Sequence, residues 1–382
     1  MPYLDNNATT EPLPEVVDAV RTGLTEHWHN PSSVHRPGQA ARHAVELARA
    51  DLARLINVKP RELILMGSGT ESIDAAIRGS IAATGKRVVV TTEVEHAAVR
   101  DLCEAIGREG VEVRTLPLID GVVDPSPLSD LLAGGDVAVV SVQWANNETG
   151  AIVPVERIHE ACRAHRVAFH CDGTQWIGKL PVPQDGPPCD LLTFSAHKFH
   201  GPKGVGGLWV RRGIGIRPVL HGSQELGRRG GTENVPGILG AGVAARAAVE
   251  WLADAHERER LTVLRDRFEA AVLEQCPGAM VNGPANRSAE TRLWNTTNIG
   301  FPRLEAEALL LAFSEQGLAA SAGAACSSGS LDPSPVLLAI GIEPAVAHGS
   351  VRFSLSRFTS EAEIDEAVEI VSACVSRFAS IG

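Results

Sequence analysis

Residues 189–210, CDLLTFSAHKFHGPKGVGGLWV, decide the fold. Positions 190–194 form an apolar run of the length of a buried strand. Polar residues then crowd into 195–198. Gly201, Pro202, Gly204, Gly206 and Gly207 predict a tight, close-packed return before a second apolar run at 208–210. A lysine at the mouth of a buried strand, flanked by Ser195, His197 and glycines, is an unusual place for a cation. Two readings of Lys198 stand side by side. It is a Schiff-base nucleophile whose amine is freed by partial burial, or a phosphate-binding or helix-capping lysine.

On either side of this stretch, short apolar runs alternate with helix-forming segments. Candidate strands lie at 62–66, 87–91, 111–116, 137–142 and 167–171, and candidate helices at 38–55, 71–83, 99–108, 128–132 and 158–164. The alternation predicts an α/β fold with a doubly wound, mostly parallel sheet. After Pro236 a long helical region is expected to about Cys276. The last third mixes strands (298–301, 351–355) with helices (305–316, 360–377), which suits a smaller α+β domain.

The 382 residues, 44% hydrophobic and 21% charged, suffice for a large core and two domains. A net charge of −11 argues against a general nucleic-acid binder. No apolar run is read as a membrane span, and the opening MPYLD carries no signal-peptide pattern, so the expected location is the cytoplasm. The 7 cysteines are odd in number and lack a C-x-x-C pair, which argues against a disulfide framework and a common zinc site. No residue is assigned to a metal.

Chemistry-bearing residues fall at the ends of predicted strands. GSGTES (67–72) joins a strand to a helix, where free N–H groups and the helix dipole make an anion site unless the turn is only structural. It lacks both the Walker G-K-[ST] and a complete G-x-G-x-x-G. VAFHCD (167–172) ends an apolar strand in Asp172, either facing the crevice where open α/β sheets bind ligands or capping the next helix. Beside a Schiff-base lysine, Asp172 could hold a protonated pyridine nitrogen. WANNETG (144–150) and Glu95-His96 follow two further strands, and the His96 ring could stack on a flat cofactor. Together these describe a pyridoxal phosphate pocket better than any one does alone.

At this point the chain resembles the cysteine desulfurases of the NifS/IscS type. These are class V aminotransferase-family enzymes of aspartate-aminotransferase-like fold (fold type I). The resemblance rests on LDNNATT (4–10), NPSS (30–33), SGTES (68–72), EH (95–96), NNETG (146–150), DGTQ (172–175), SAHK (195–198), GPKGVG (201–206), RRGGTEN (228–234), SAGAACSSGS (321–330) and SVRFSLSRFT (350–359). It implies a large cofactor-binding domain at 15–250. Residues 1–14 and 251–382 would form a small α+β domain carrying the cysteine loop and the carboxylate-binding arginine.

The resemblance also implies roles. Lys198 would carry pyridoxal 5'-phosphate, Asp172 would pair with its ring nitrogen, His96 would stack on the ring and Gln175 would hydrogen-bond its phenolate oxygen. Gly69, Thr70, Ser195 and His197 would hold the phosphate, with Thr232 arriving from the second subunit of a homodimer. Asn147 would contact the bound substrate. Arg352 would fork onto the carboxylate of L-cysteine, with Asn30 close by. Lys198 would move the Cα proton, and His96 is a candidate proton carrier for the thiol. Cys326, among small residues suited to a mobile loop, would take the sulfur as a persulfide and leave alanine, making the chain a sulfurtransferase. The other six cysteines are read as incidental, and the loop resembles the family branch with the longer catalytic loop.

The sulfur would pass to an acceptor protein, an iron–sulfur scaffold or a tRNA-thiolation carrier, with no membrane and no direct nucleic-acid binding. The chain departs from the family pattern in the shortened stretch 221–227, where Leu226 replaces a common arginine, and in the Gly67/Gly69 order of the phosphate turn. It also ends at Gly382, without the longer tail that helps housekeeping members dock the scaffold. Competing readings are another enzyme of this fold (a selenocysteine lyase, an aminotransferase or a cysteine-sulfinate lyase) and a non-catalytic sulfur-carrier docking module.

Overall fold

The computed structural model describes residues 1–322 and 332–379. In chain order the strands are β1 (Leu63–Met66), β2 (Val88–Thr92), β3 (Glu112–Leu116), β4 (Leu118–Ile119), β5 (Val122–Val123), β6 (Val137–Gln143), β7 (Ala168–Asp172), β8 (Leu191–Ser195), β9 (Gly206–Val210), β10 (Met280–Asn282), β11 (Thr296–Gly300) and β12 (Ser350–Ser354). The helices are α1 (Pro14–Thr25), α2 (Arg36–Leu55), α3 (Gly69–Thr84), α4 (Ala97–Arg108), α5 (Leu128–Leu132), α6 (Val155–His165), α7 (Val235–Leu252), α8 (Ala255–Gln275), α9 (Ala306–Glu315), α10 (Pro335–Ala339), α11 (Pro344–Ala347) and α12 (Glu361–Ala379).

Seven strands form one sheet in the order β1-β9-β8-β7-β6-β2-β3. The pairs β8/β7, β7/β6, β6/β2 and β2/β3 are parallel, whereas β9 runs antiparallel to both β8 and β1. The return read from the glycines at 201–207 is therefore the one reversal in an otherwise parallel sheet. Strands β1, β2, β6, β8 and β9 are buried along their whole length, because helices cover both faces. Val45, Leu52, Val90, Val140, Phe169 and Phe194 lie in the core on one face, and Ile64, Ile73, Val89 and Ile106 in the core on the other.

Strands β10, β11 and β12 make a separate antiparallel sheet. Its own core includes Leu4, Phe268, Phe313, Phe353 and Ile364. The N-terminal segment crosses to this sheet through the bridges Tyr3–Ala319 and Asp5–Ser354.

Two expectations change. The single helical region to Cys276 is two helices, because the Asp254 carboxylate accepts from His256 N (2.9 Å) and starts α8 afresh. Helix α7, with 18 residues and a mean hydropathy of 1.2, is long and apolar enough for a membrane span, although no such run was read in the sequence. Here it packs against α1 and α2, with half of its length buried.

Candidate active site

The parallel strands deliver their C-terminal ends to one edge, where β2, β7 and β8 bring the candidate side chains. At the end of β7, Asp172 is buried, and its Oδ1 accepts from Thr174 N (3.0 Å) and Thr193 Oγ1 (3.4 Å). Behind it, His170 bridges Ser141 Oγ (2.8 Å from Nδ1) and Thr193 Oγ1 (3.1 Å from Nε2). Burial pushes His170 down to about 4, so the ring is neutral and the network holds Asp172 without adding charge.

After β2, Glu95 and His96 lead into α4. Glu95 accepts from Thr92 Oγ1 (2.7 Å) and Gln143 N (3.0 Å), and burial pushes it up to about 8. His96 caps α4, its Nδ1 accepting from Ala98 N (3.1 Å). Burial holds its ring below the ordinary histidine value against the pull of Asp172, and the Lys198 cation reinforces the burial.

Beyond β8, Lys198 Nζ donates to the carbonyls of Asn7 (2.7 Å) and Ala8 (2.8 Å). The LDNNATT block thus lies directly on the lysine. His197 sits 3.1 Å from Thr9 Oγ1, and burial, with Lys198 and Lys203, pushes it down to about 4. Gln175 Nε2 donates to Asn7 O (3.1 Å).

The glycine turn before α3 is a capped N-terminus. Ser68 Oγ accepts from Glu71 N (3.0 Å), Glu71 Oε2 accepts from Gly67 N (2.6 Å), and Arg229 Nε donates to Glu71 Oε1 (2.8 Å). A Cβ on Gly69 would lie 3.5 Å from both Ser195 Cβ and Thr174 Oγ1. The structure therefore brings Gly69, Ser195 and Thr174 together, and leaves Thr70 exposed beside them.

From the second sheet, β12 contributes Arg352, which is 2% exposed. Its Nη2 pairs with Asp5 Oδ1 (2.8 Å), and its Nη1 donates to Asn147 O (3.1 Å). Asn30 is exposed on its own loop, where its Oδ1 accepts from Ser32 N (2.8 Å), and it makes no hydrogen bond to Arg352. Thr232 is exposed in a small cleft with Met66, Gly67 and Arg229.

Cys326 lies outside the described residues. The chain entering its segment is fixed at Ser321, bridged to Arg352 (N to O, 3.2 and 2.6 Å). The chain leaving it is fixed at Ser334, whose Oγ donates to buried Glu148 Oε2 (2.6 Å). Both ends therefore lie at this edge. The six described cysteines are all buried. Burial pushes Cys103 up to about 12 and Cys276 up to about 11, and raises Cys162, Cys171 and Cys374, which disfavours thiolate at any of these five.

The residues fit pyridoxal phosphate. Asn147 Oδ1 and Thr174 Oγ1 are buried with no hydrogen-bond partner among the described residues, as expected of atoms that answer to a ligand. Three contributors were missed in the sequence. Thr174 stands inside a quoted motif, and its hydroxyl beside an acid at a strand end was the signal. Asn7 lies in a quoted block that carried no role. Lys179 carried no signal beyond its spacing of four from Gln175.

A family model described as aminotransferase class-V matches residues 2–367. The chain is 44% identical to a protein named cysteine desulfurase from Trichormus azollae, over 99% of this chain and 94% of that one. Among solved structures it is similar to a NifS-like protein, with 33% identity, a TM-score of 0.88, and coverage of 99% of this chain and 100% of that one. It is also similar to SspA in complex with cysteine, with 28% identity, a TM-score of 0.79, and coverage of 94% and 100%.

Proposed function

The chain belongs to the class-V aminotransferase family and, within it, to the cysteine desulfurases of the NifS type, and from that premise we propose how its residues divide the work. It removes sulfur from L-cysteine. The observation that carries the reading is the convergence of Lys198, Asp172, His96 and Gln175 on one strand edge, with Arg352 reaching it from the second sheet.

Lys198 would hold pyridoxal phosphate. Asp172 would pair with the ring nitrogen, His96 would cover the ring, Gln175 would donate to the phenolate oxygen, and Gly69, Thr70, Thr174, Ser195 and His197 would take the phosphate. The bound cofactor supplies an electron sink conjugated to the substrate's amino group. Arg352, backed by Asp5, takes the substrate carboxylate beside Asn147, with Asn30 closing from its loop. Lys198 Nζ would be the base that lifts the substrate's Cα proton. The Cys326 thiolate forms an S–S bond with the substrate sulfur as the Cβ–Sγ bond breaks. The electron pair stays on carbon, and protonation there completes alanine. His96, held neutral, is the candidate to accept the thiol proton.

The resulting persulfide passes its sulfur to an acceptor protein, an iron–sulfur scaffold or a thiolation carrier. We assign the seven-stranded sheet to the cofactor-binding domain and the three-stranded sheet to the cysteine-carrying one, and Thr232 would complete the phosphate site of the second copy in a homodimer. Reconstitution of a Lys198→Ala protein tests the assignment. Wild type is expected to hold the cofactor through gel filtration with a visible absorbance band, and Lys198→Ala to lose both the band and sulfide release. A variant that keeps its covalent band would overturn the role of Lys198.

A further inference from the structure

Lys179 is 4% exposed, has no carboxylate within ion-pair distance among the described residues, and takes no part in the mechanism above. Its backbone is locked in place. Gly178 before it has φ 80° and lies so close to Phe199 that a Cβ would stand 2.3 Å from Phe199 Cβ, while Trp294 Nε1 donates to Lys179 O (2.9 Å). Its amine donates to Asn7 Oδ1 (2.6 Å) and to Gln175 Oε1.

We propose that Lys179 is a positioning residue that sets the polarity of the Gln175 amide, so that an N–H and not a carbonyl faces the cofactor's phenolate oxygen. The inference rests on the reading that Gln175 meets that oxygen. A lysine amine has no acceptor role in either hydrogen bond, so it turns both amide oxygens toward itself. The two NH₂ groups must then point elsewhere. Gln175 Nε2 reaches Asn7 O, which also accepts from Lys198 (2.7 Å), and Asn7 Nδ2 reaches Asn147 O (3.1 Å) and Thr296 Oγ1 (2.9 Å). A flipped Gln175 would set a carbonyl against a phenolate, a repulsion with no hydrogen bond to offset it. Burial, with the Lys198 and Arg352 cations acting in the same sense, holds the Lys179 amine well below the ordinary lysine value.

The test compares reconstituted wild type with Lys179→Met, Gln175→Leu and the double variant. The readouts are the cofactor dissociation constant, the position of the visible band and the apoprotein's thermal midpoint. Lys179→Met is expected to weaken cofactor binding about tenfold, the scale of one hydrogen bond to a charged oxygen. It should move the band in the same direction as Gln175→Leu and add little in the double variant. An unchanged band with only a lowered thermal midpoint, or full additivity in the double variant, makes Lys179 merely structural and overturns the proposal. Gln175→Leu without effect on band or affinity overturns both this inference and the Gln175 assignment. An effect of Gln175→Leu alone overturns this inference only. Should Lys179→Met fail to fold, Lys179→Gln, which keeps N–H donors on a shorter stem, is expected to give an intermediate shift. A wild-type band there would overturn the proposal.

Discussion

Arg352, the proposed site for the substrate carboxylate, is held ready by the protein. It is buried on β12, and Asp5 and the Asn147 carbonyl fix its guanidinium before any ligand arrives. A lysine could hold one of these contacts but not the fork. Arg352→Lys is expected to raise KM for L-cysteine and lower kcat/KM by about 10- to 100-fold, the scale of one charged hydrogen bond, in steady-state sulfide release. An unchanged KM would move the carboxylate site elsewhere. Lys198 drew notice from its own local stretch, whereas Arg352 was singled out only by the family resemblance of 350–359. Asp5 and Asn7 carried no such signal, since their partners lie 347 and 191 positions away. Long-range polar pairing leaves no periodicity in a sequence. Only the fold shows that the opening block is the floor of the site.

At the scale of elements, β9 is where sequence and packing agree most closely. The glycines at 201–207 predicted a close return, and Gly206 shows why. A Cβ there would stand 2.4 Å from Ser68 C and O, so β9 and the turn into α3 meet backbone to backbone. Gly206→Ala must push that turn away from Ser195, at a cost of about 1–3 kcal/mol for overpacking. The expected outcome is weaker cofactor binding in an equilibrium titration. Unaltered affinity would detach the turn from the phosphate. The shortened stretch was legible as a departure but not in its consequence. Glu225 is buried in a bidentate pair with Arg49 (2.7 and 2.8 Å) and accepts from Leu65 N (3.0 Å). Leu226 sits exposed at φ 60°, an orientation that L-residues disfavour. The buried Glu225 carboxylate beside it anchors the stretch to α2 and β1.

For the whole molecule, the alternation of strands and helices gave the parallel sheet, because apolar runs covered on both faces have a plain signature. The second sheet was harder to read, since its strand β10 is 3 residues long and the N-terminal segment joins it from across the chain. Burial also sets a stability profile. His170, His197 and His200 are each pushed down to about 4 from 6.5. The unfolded chain therefore binds more protons between those values, and stability present above pH 6.5 is lost as pH falls toward 4, by up to roughly 1.4 kcal/mol per unit for each histidine. Glu95, pushed up from 4.5 to about 8, acts in the opposite sense, losing stability as pH rises through that window. Thermal midpoints should fall from pH 6.5 to 4, and His170→Gln should flatten that limb. A limb equally steep in the variant would remove His170 from the account. The central claim, that sulfur leaves L-cysteine through the Cys326 thiol, is tested most directly by product stoichiometry. Wild type and Cys326→Ala, both carrying the cofactor's visible band, would be given L-cysteine with a thiol reductant. Sulfide and alanine are predicted in equal amounts from wild type and neither from the variant. Equal turnover by both would contradict the account and assign the chemistry to a lyase that needs no nucleophilic cysteine.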